Sequence, residues 1–375
     1  FWLKLSFGPA WQADGHVGGP HLLLLAPEPI MEAPGSAPPR RHVYGTPWPA
    51  YALACSADQA AEHRLAVGSC IDGDSNQIQV VGLSDGAGAM ELKAEAPHPL
   101  APTKLGWRPA PPGADSGADF DLLASVSTAL ELWRYEEGRL ERSAKLSSAK
   151  GHRSLAPLTS FDWSQANPQK LCTSSVDTTC TIWNLEVEKI ESQLIAHDKA
   201  VYDIAFSHAE THFASVGADG SVRLFDQRNL EHSTIIYEAS PLSPLLRLAW
   251  NKLNPNHIAV LAMDCPGVVL IDLRRPSMAL AGLSHLDSSV NSICWAPHSR
   301  NHLLAGSGSG HALIWDVCEA PAAPLAPGAA AEGCPERAPL VAYNCGHEVY
   351  QAHWPAAQPD FVALGTAGQT MVMQI

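Results

Sequence analysis

Between residues 193 and 228 the chain reads QLIAHDKAVYDIAFSHAETHFASVGADGSVRLFDQR, and no other stretch limits its fold as much. Val201–Phe206 alternates as a strand should. Phe213–Val216 is a second short apolar run, and Ser221–Asp226 is a third. Ala218-Asp219-Gly220-Ser221 joins the last two as a turn, with Gly220 free to take positive φ. The three runs predict a small antiparallel sheet, repeated roughly every 40 residues. Such a sheet cannot bury both of its faces alone, so it demands copies of itself on either side.

The copies are present. A first follows Arg41-His42-Val43-Tyr44, with Ala50–Cys55, Leu65–Ser69 and Gln77–Leu83 as its runs. Trp107, Trp163, Phe206, Trp250, Trp295 and Trp354 end the inner runs of the next six. From Trp163 to Trp295 those aromatics are spaced 43, 44 and 45 residues apart. The gaps of 56 residues before Trp163 and 59 before Trp354 call for insertions. The first is read at 136–155 and the second as a surface loop at 319–339, rich in Ala, Pro and Gly. The seventh repeat has a third run, Met371–Ile375, and no residues after it for a fourth. Arg41–Tyr44 is therefore predicted to fill that place and latch the ring.

Ala196-His197 stands where Gly-His opens a WD repeat, and Phe225-Asp226 where Trp-Asp closes one. The predicted fold is all-β: a seven-bladed WD-repeat β-propeller over residues 40–375, closed by an N-terminal strand. Residues 1–39 show no strand period and are read as a disordered extension.

Composition narrows the function. Lys and Arg number 24 against 38 Asp and Glu, a net charge of -14, which argues against nucleic-acid phosphates as a direct partner. The nine cysteines form no Cys-x-x-Cys pair, and Cys55, Cys172, Cys180 and Cys294 fall within predicted strands. They read as buried thiols of a reduced compartment, with no metal site. Leu22-Leu23-Leu24-Leu25-Ala26 is far shorter than the roughly 20 residues of a membrane span, and Lys4 alone makes a weak lead-in for a signal peptide. The expectation is a protein of the cytoplasm and nucleus, without membrane contact or cofactor.

His197, Ser215 and Asp219 have the composition of a hydrolytic triad. A mid-strand Ser offers neither an exposed nucleophile nor an oxyanion site. They are read instead, with Asp177 and Trp183, as structural hydrogen-bond relays between blades. The tryptophans at 107, 133, 163, 183, 250, 295, 315 and 354 recur at repeat-locked positions and are expected in the core. Gly306-Ser307-Gly308-Ser309-Gly310 has no helix pattern after it, so it is read as a loose blade turn and not a phosphate cradle. With no paired-carboxylate or metalloprotease motif either, the chain is expected not to be an enzyme.

Pro157–Trp163, Thr173–Trp183, Ala214–Arg223 and Leu230–Glu238 closely resemble one family. It comprises the plant TRANSPARENT TESTA GLABRA proteins and their animal Han-eleven counterparts, the cullin-four associated factor seven group. The resemblance is long and specific over 157–300, recognisable over 43–135, and poor before 40 and over 318–340. It implies a non-enzymatic scaffold. Its expected partners are protein kinases of the dual-specificity tyrosine-regulated and homeodomain-interacting groups, and transcription factors. Family members are also similar to substrate receptors of the cullin-four ubiquitin ligase. The adaptor motif there is an apolar residue, Asp, any residue, Arg, at a blade end. Phe225-Asp226-Gln227-Arg228 and Ile271-Asp272-Leu273-Arg274 match it, which assigns Asp226, Arg228, Asp272 and Arg274 to adaptor binding. Departures at Ser127-Thr128-Ala129, Cys265-Pro266-Gly267, Ser307-Gly308-Ser309 and Thr366-Ala367-Gly368-Gln369 mark a diverged copy.

Overall fold

The computed structural model describes residues 40–375 apart from 57–62, 74, 85–87, 110–119, 148–155, 264, 285–287 and 320–338. The expected extension at 1–39 and nearly all of the insertion at 319–339 lie outside the described residues. Seven four-stranded antiparallel sheets carry the fold. Their inner strands are Ala50–Cys55, Lys104–Trp107, Leu158–Trp163, Val201–Phe206, Leu245–Trp250, Val290–Trp295 and Val349–His353. Each inner strand contacts the next, and the last contacts the first, so the sheets close into a seven-bladed propeller.

The seam is mixed, as the strand count predicts. Arg41–Gly45 pairs with Gln369–Gln374 as the outer strand of the seventh sheet, in the register Arg41↔Met373 through Gly45↔Gln369. Backbone bonds from Thr46 N to Gly368 O and from Gln374 N to Arg40 O, both 2.9 Å, extend the pairing at either end. On the inner side, Gly365 brings the seventh sheet against the first so closely that a Cβ would stand 2.4 Å from Ala50 O.

The sequence unit is out of phase with the blade. Lys189–Ile195 is the outer strand of the third sheet, and Val201–Phe206 begins the fourth. His197 therefore sits on the crossing between two blades. The other outer strands are Met90–His98, Arg139–Leu146, Asn229–Glu238, Ala279–Ser284 and Val341–Asn344. Arg139–Leu146 sharpens one expectation: the stretch at 136–155 read as extra length contains this outer strand, turned back at Glu137-Gly138.

The core lies between blades. All eight repeat-locked tryptophans are buried, none more than 7% exposed. Three solve the problem of the buried indole N–H alike. Trp163, Trp250 and Trp354 each donate to the carbonyl of a proline five residues on, Pro168, Pro255 and Pro359, at 2.7–2.8 Å. The turn at 306–310 is tied, not loose. Gly308 N donates to Ser289 O at 2.8 Å, His311 N donates to the Ser307 hydroxyl at 3.1 Å, and a Cβ on Gly306 would meet Val349 at 2.5 Å.

Candidate partner-docking site

The two Asp-x-Arg sequences fall on neighbouring blades. Asp226 ends the third strand of the fourth sheet, Asp272 that of the fifth, and each arginine lies in the turn to the outer strand. In a propeller all such turns open on one face, so Arg228 and Arg274 share a rim. Their geometry is the same. Arg228 Nε donates to Asp226 Oδ1 at 2.9 Å and its Nη2 to Oδ2 at 2.6 Å; for Arg274 and Asp272 the distances are 3.0 and 2.7 Å. The backbone N–H of each arginine also donates to its aspartate, at 3.0 and 2.9 Å. The carboxylate thus holds both turn and guanidinium. Hydrogen bonds from Arg228 keep the Asp226 carboxyl well below the usual carboxylate range, and Arg274 lowers Asp272 in the same way. Of the five N–H donors in each fork, Nη1 and one hydrogen of Nη2 remain outward. The side chains are 75% and 65% exposed.

The blades beneath this rim are bolted together. Asp162 of the third sheet accepts from Phe206 N of the fourth at 2.8 Å and from Lys252 Nζ of the fifth at 3.0 Å. Lys252 Nζ also donates to Phe206 O at 2.6 Å. Deeper in, Asp203 accepts from Ser160 Oγ at 2.5 Å and from Leu248 N at 2.9 Å. These bridges hold the third, fourth and fifth blades at fixed angles, as a docking rim requires. No sequence motif marks Asp162, Asp203 or Lys252. Their signal is a charged residue inside an otherwise apolar inner-strand pattern, or two residues after its terminal aromatic.

The expected relay residues fall into two places. His197 Nδ1 faces both oxygens of Asp219 at 3.0 Å, and its Nε2 faces Ser215 Oγ at 2.8 Å. Burial alone would raise the Asp219 carboxyl, but hydrogen bonds from His197 and Ser221 hold it well below its usual range. Gly217 keeps this crowded corner open, since a Cβ there would stand 2.8 Å from Ala200 O and 3.0 Å from His197 Nδ1. In the third sheet, Trp183 Nε1 donates to Thr173 Oγ1 at 2.9 Å, while Asp177 accepts from Thr179 N and Thr179 Oγ1 in the turn. Asp177 and Trp183 share a blade but no hydrogen bond. The second sheet holds a further relay that the sequence reading missed. His98 Nε2 meets Ser125 Oγ at 3.1 Å, and Trp133 Nε1 donates to the same oxygen at 2.9 Å.

Among the described residues no group of three or more His, Cys, Asp or Glu side chains is placed to hold a metal ion. No helix among them is long and apolar enough to cross a membrane.

Known proteins share the pattern. The WD domain, G-beta repeat, matches residues 143–184, 188–226 and 280–316. The DDB1- and CUL4-associated factor 7 homolog of Dictyostelium discoideum is 42% identical over 340 residues, which is 90% of this chain and 99% of that protein. The chain belongs to the DDB1- and CUL4-associated factor 7 family of WD-repeat proteins. An uncharacterized WD repeat-containing protein of Schizosaccharomyces pombe is 38% identical over 73% of this chain and 69% of its own length. A WD repeat-containing protein of Saccharomyces cerevisiae is 32% identical over 73% of this chain and 57% of its own. The family and the propeller together give the chain a non-catalytic scaffold fold.

Proposed function

We propose that this chain is a non-enzymatic docking scaffold that engages the adaptor of a cullin-four ubiquitin ligase through Arg228 and Arg274. One observation carries the reading: two identical pinned guanidinium forks, side by side on one face. An exposed arginine normally loses rotamer freedom when it docks, and here the aspartate has already removed much of that freedom. The name of the Dictyostelium relative points to the same adaptor and cullin. The rest of the propeller surface is then available to what the ligase or the scaffold serves. On the resemblance to the Han-eleven group, those partners are dual-specificity tyrosine-regulated and homeodomain-interacting kinases and transcription regulators, met in cytoplasm and nucleus.

The test is capture of purified adaptor by the wild-type chain and by the Arg228→Ala/Arg274→Ala double variant. The reading expects capture to fall by about tenfold or more, as for loss of charge-assisted bidentate contacts. Undiminished capture removes it. Kinase docking is read separately, by pull-down with the same variant. Kinases held equally by wild type and variant place them on another surface, and recovery of no kinase of the two groups ends that part of the reading.

A further inference from the structure

The seven inner strands surround a central bore, and six of them start with the same irregularity. Each skips one residue in pairing with its neighbour: Tyr51, Thr159, Tyr202, Leu246, Asn291 and Tyr350. All six lie four positions before the residue in the terminal aromatic position, so the bulges form one tier around the bore's mouth. This mouth is on the face opposite Arg228 and Arg274, since inner strands begin where third strands begin. A bulge leaves its extra residue outside the ladder and re-aims the side chain, and bulges concentrate beside functional sites.

One position further on, two of these strands carry a charge, Asp203 and Arg247, and Lys104 holds the matching place on the inner strand that has no bulge. Lys104 and Asp203 lie 3.5 Å apart and offset each other. Arg247 has no such partner: no ion pair joins it to any carboxylate among the described residues. Its Nη1 donates to Leu246 O at 3.2 Å, and its Nη2 reaches Tyr51 OH at 3.5 Å, on a blade three places away around the ring. The side chain therefore lies across the mouth, with three of its five donors unspent. Tyr51 and Tyr350 stand beside each other there, ring centres 6.3 Å apart. Holding a cation partly out of water without a counter-charge is costly, and an apolar side chain would fill the same space more cheaply. In a chain of net charge -14 it is conspicuous that this arginine lacks an acidic neighbour.

We infer that the mouth of the bore is a second docking surface, and that its occupant is an acidic peptide segment of a protein partner whose carboxylate seats on Arg247. The planar fork accepts a carboxylate in bidentate fashion. Tyr350, which is partly exposed beside the buried Tyr51, adds contact area at low entropic cost. The inference does not depend on the proposed adaptor rim.

The experiment uses the full chain and a fluorescein-labelled decapeptide of alternating Gly and Glu, read by fluorescence polarisation. Gly-Gln and Gly-Lys peptides are the controls. The Glu peptide should bind at least about tenfold more tightly than the Gln peptide, the ratio expected of a charge-assisted pair. Arg247→Met keeps the volume without the charge. It should melt no lower than wild type and should lose that preference. Arg247→Lys should keep part of it, and Arg228→Ala/Arg274→Ala should keep all of it. Equal binding of the Glu and Gln peptides, tighter binding of the Lys peptide, or an Arg247→Met variant that binds as wild type would overturn the inference. So would sedimentation showing that the wild-type chain self-associates and Arg247→Met does not, because the occupant would then be a second copy.

Discussion

The second and fourth blades do the same job with opposite charges. In the fourth, the inter-blade His197 bonds Ser215, and its other nitrogen meets an acid in the turn, Asp219. Arg223, two residues before Phe225, caps that acid at 3.0 Å. In the second, His98 bonds Ser125, but the turn Ser127-Thr128-Ala129 carries no acid, and the His98 Nδ1 faces Leu100 O instead. The carboxylate comes from Glu131, two residues before Trp133, where the fourth blade has Arg223. Glu131 is 1% exposed and is met by Lys145 at 3.1 Å and Arg142 at 3.4 Å from the outer strand, with His98 at 3.9 Å. Both blades thus join a histidine to a strand hydroxyl and set a compensated charge beside it. The sign carried two residues before the third-strand aromatic differs between them.

Removing the compensation in the second blade should cost most. Arg142→Met/Lys145→Met strands Glu131 without counter-charge, and urea unfolding should show a loss of about 3 kcal/mol, the low end for a broken buried pair. If the loss matches that of two surface substitutions elsewhere, the two blades are not equivalent in the way described. Next come the hydroxyls. Ser125 serves both His98 and the Trp133 indole, whereas Ser215 serves His197 and, with Phe225 offering no N–H, only the weakly bonding Cys180 thiol. Ser125→Ala should cost about 2 kcal/mol and Ser215→Ala about 1 kcal/mol, since each orphaned buried partner adds its own penalty. Equal losses would say that the indole bond is worth nothing.

Acid should separate the two blades by pH window. Burial, chiefly, holds His98 below its ordinary value, despite the raising effect of Leu100 O and Glu131. The unfolded chain then takes up the proton first, so this contribution to stability is whole above about pH 6.5 and falls as the pH drops through and below it. Asp219 is depressed as a carboxylate, so its contribution begins to fall only below about pH 3.9. His98→Gln should lessen the decline in urea midpoint between pH 7 and 5, to which the likewise lowered His257, His298 and His353 also contribute, and leave the lower limb alone; Asp219→Asn should lessen the lower limb only. Smallest of all is Asp198→Ala. Asp198 contacts Arg223 at 2.5 Å but is 83% exposed, so its loss should stay within about 0.5 kcal/mol. A larger effect would make it part of the relay.

Much of this was legible in the residues. The spacing of Trp163, Phe206, Trp250 and Trp295 showed the repeat length, and the seven copies showed the blade number, because an aromatic that must be buried between sheets recurs at the pitch of the ring. The latch by Arg41–Gly45 followed from counting strands in the last repeat. The outer strands were harder. Arg139–Leu146 has one face in water, and its burial alternates weakly, so its charged residues read as excess length between repeats. Glu131 was invisible for a different reason. A search for an acid in the turn cannot see one supplied two residues later on a strand, where only the fold brings it to His98. The pinning of Arg228 and Arg274 was half legible: the spacing was there, but the back-bonding of each fork on its own aspartate is a matter of geometry.

The mixed seam sets a clock. Arg41–Gly45 leaves the ribosome more than three hundred residues ahead of Gln369–Gln374, its hydrogen-bonding mate. At translation rates of about 5–20 residues per second it waits tens of seconds with its backbone groups unspent. Every earlier blade can assemble during that interval, but the circle stays open until Gln369–Gln374 has emerged, and a chain halted before that strand cannot shut.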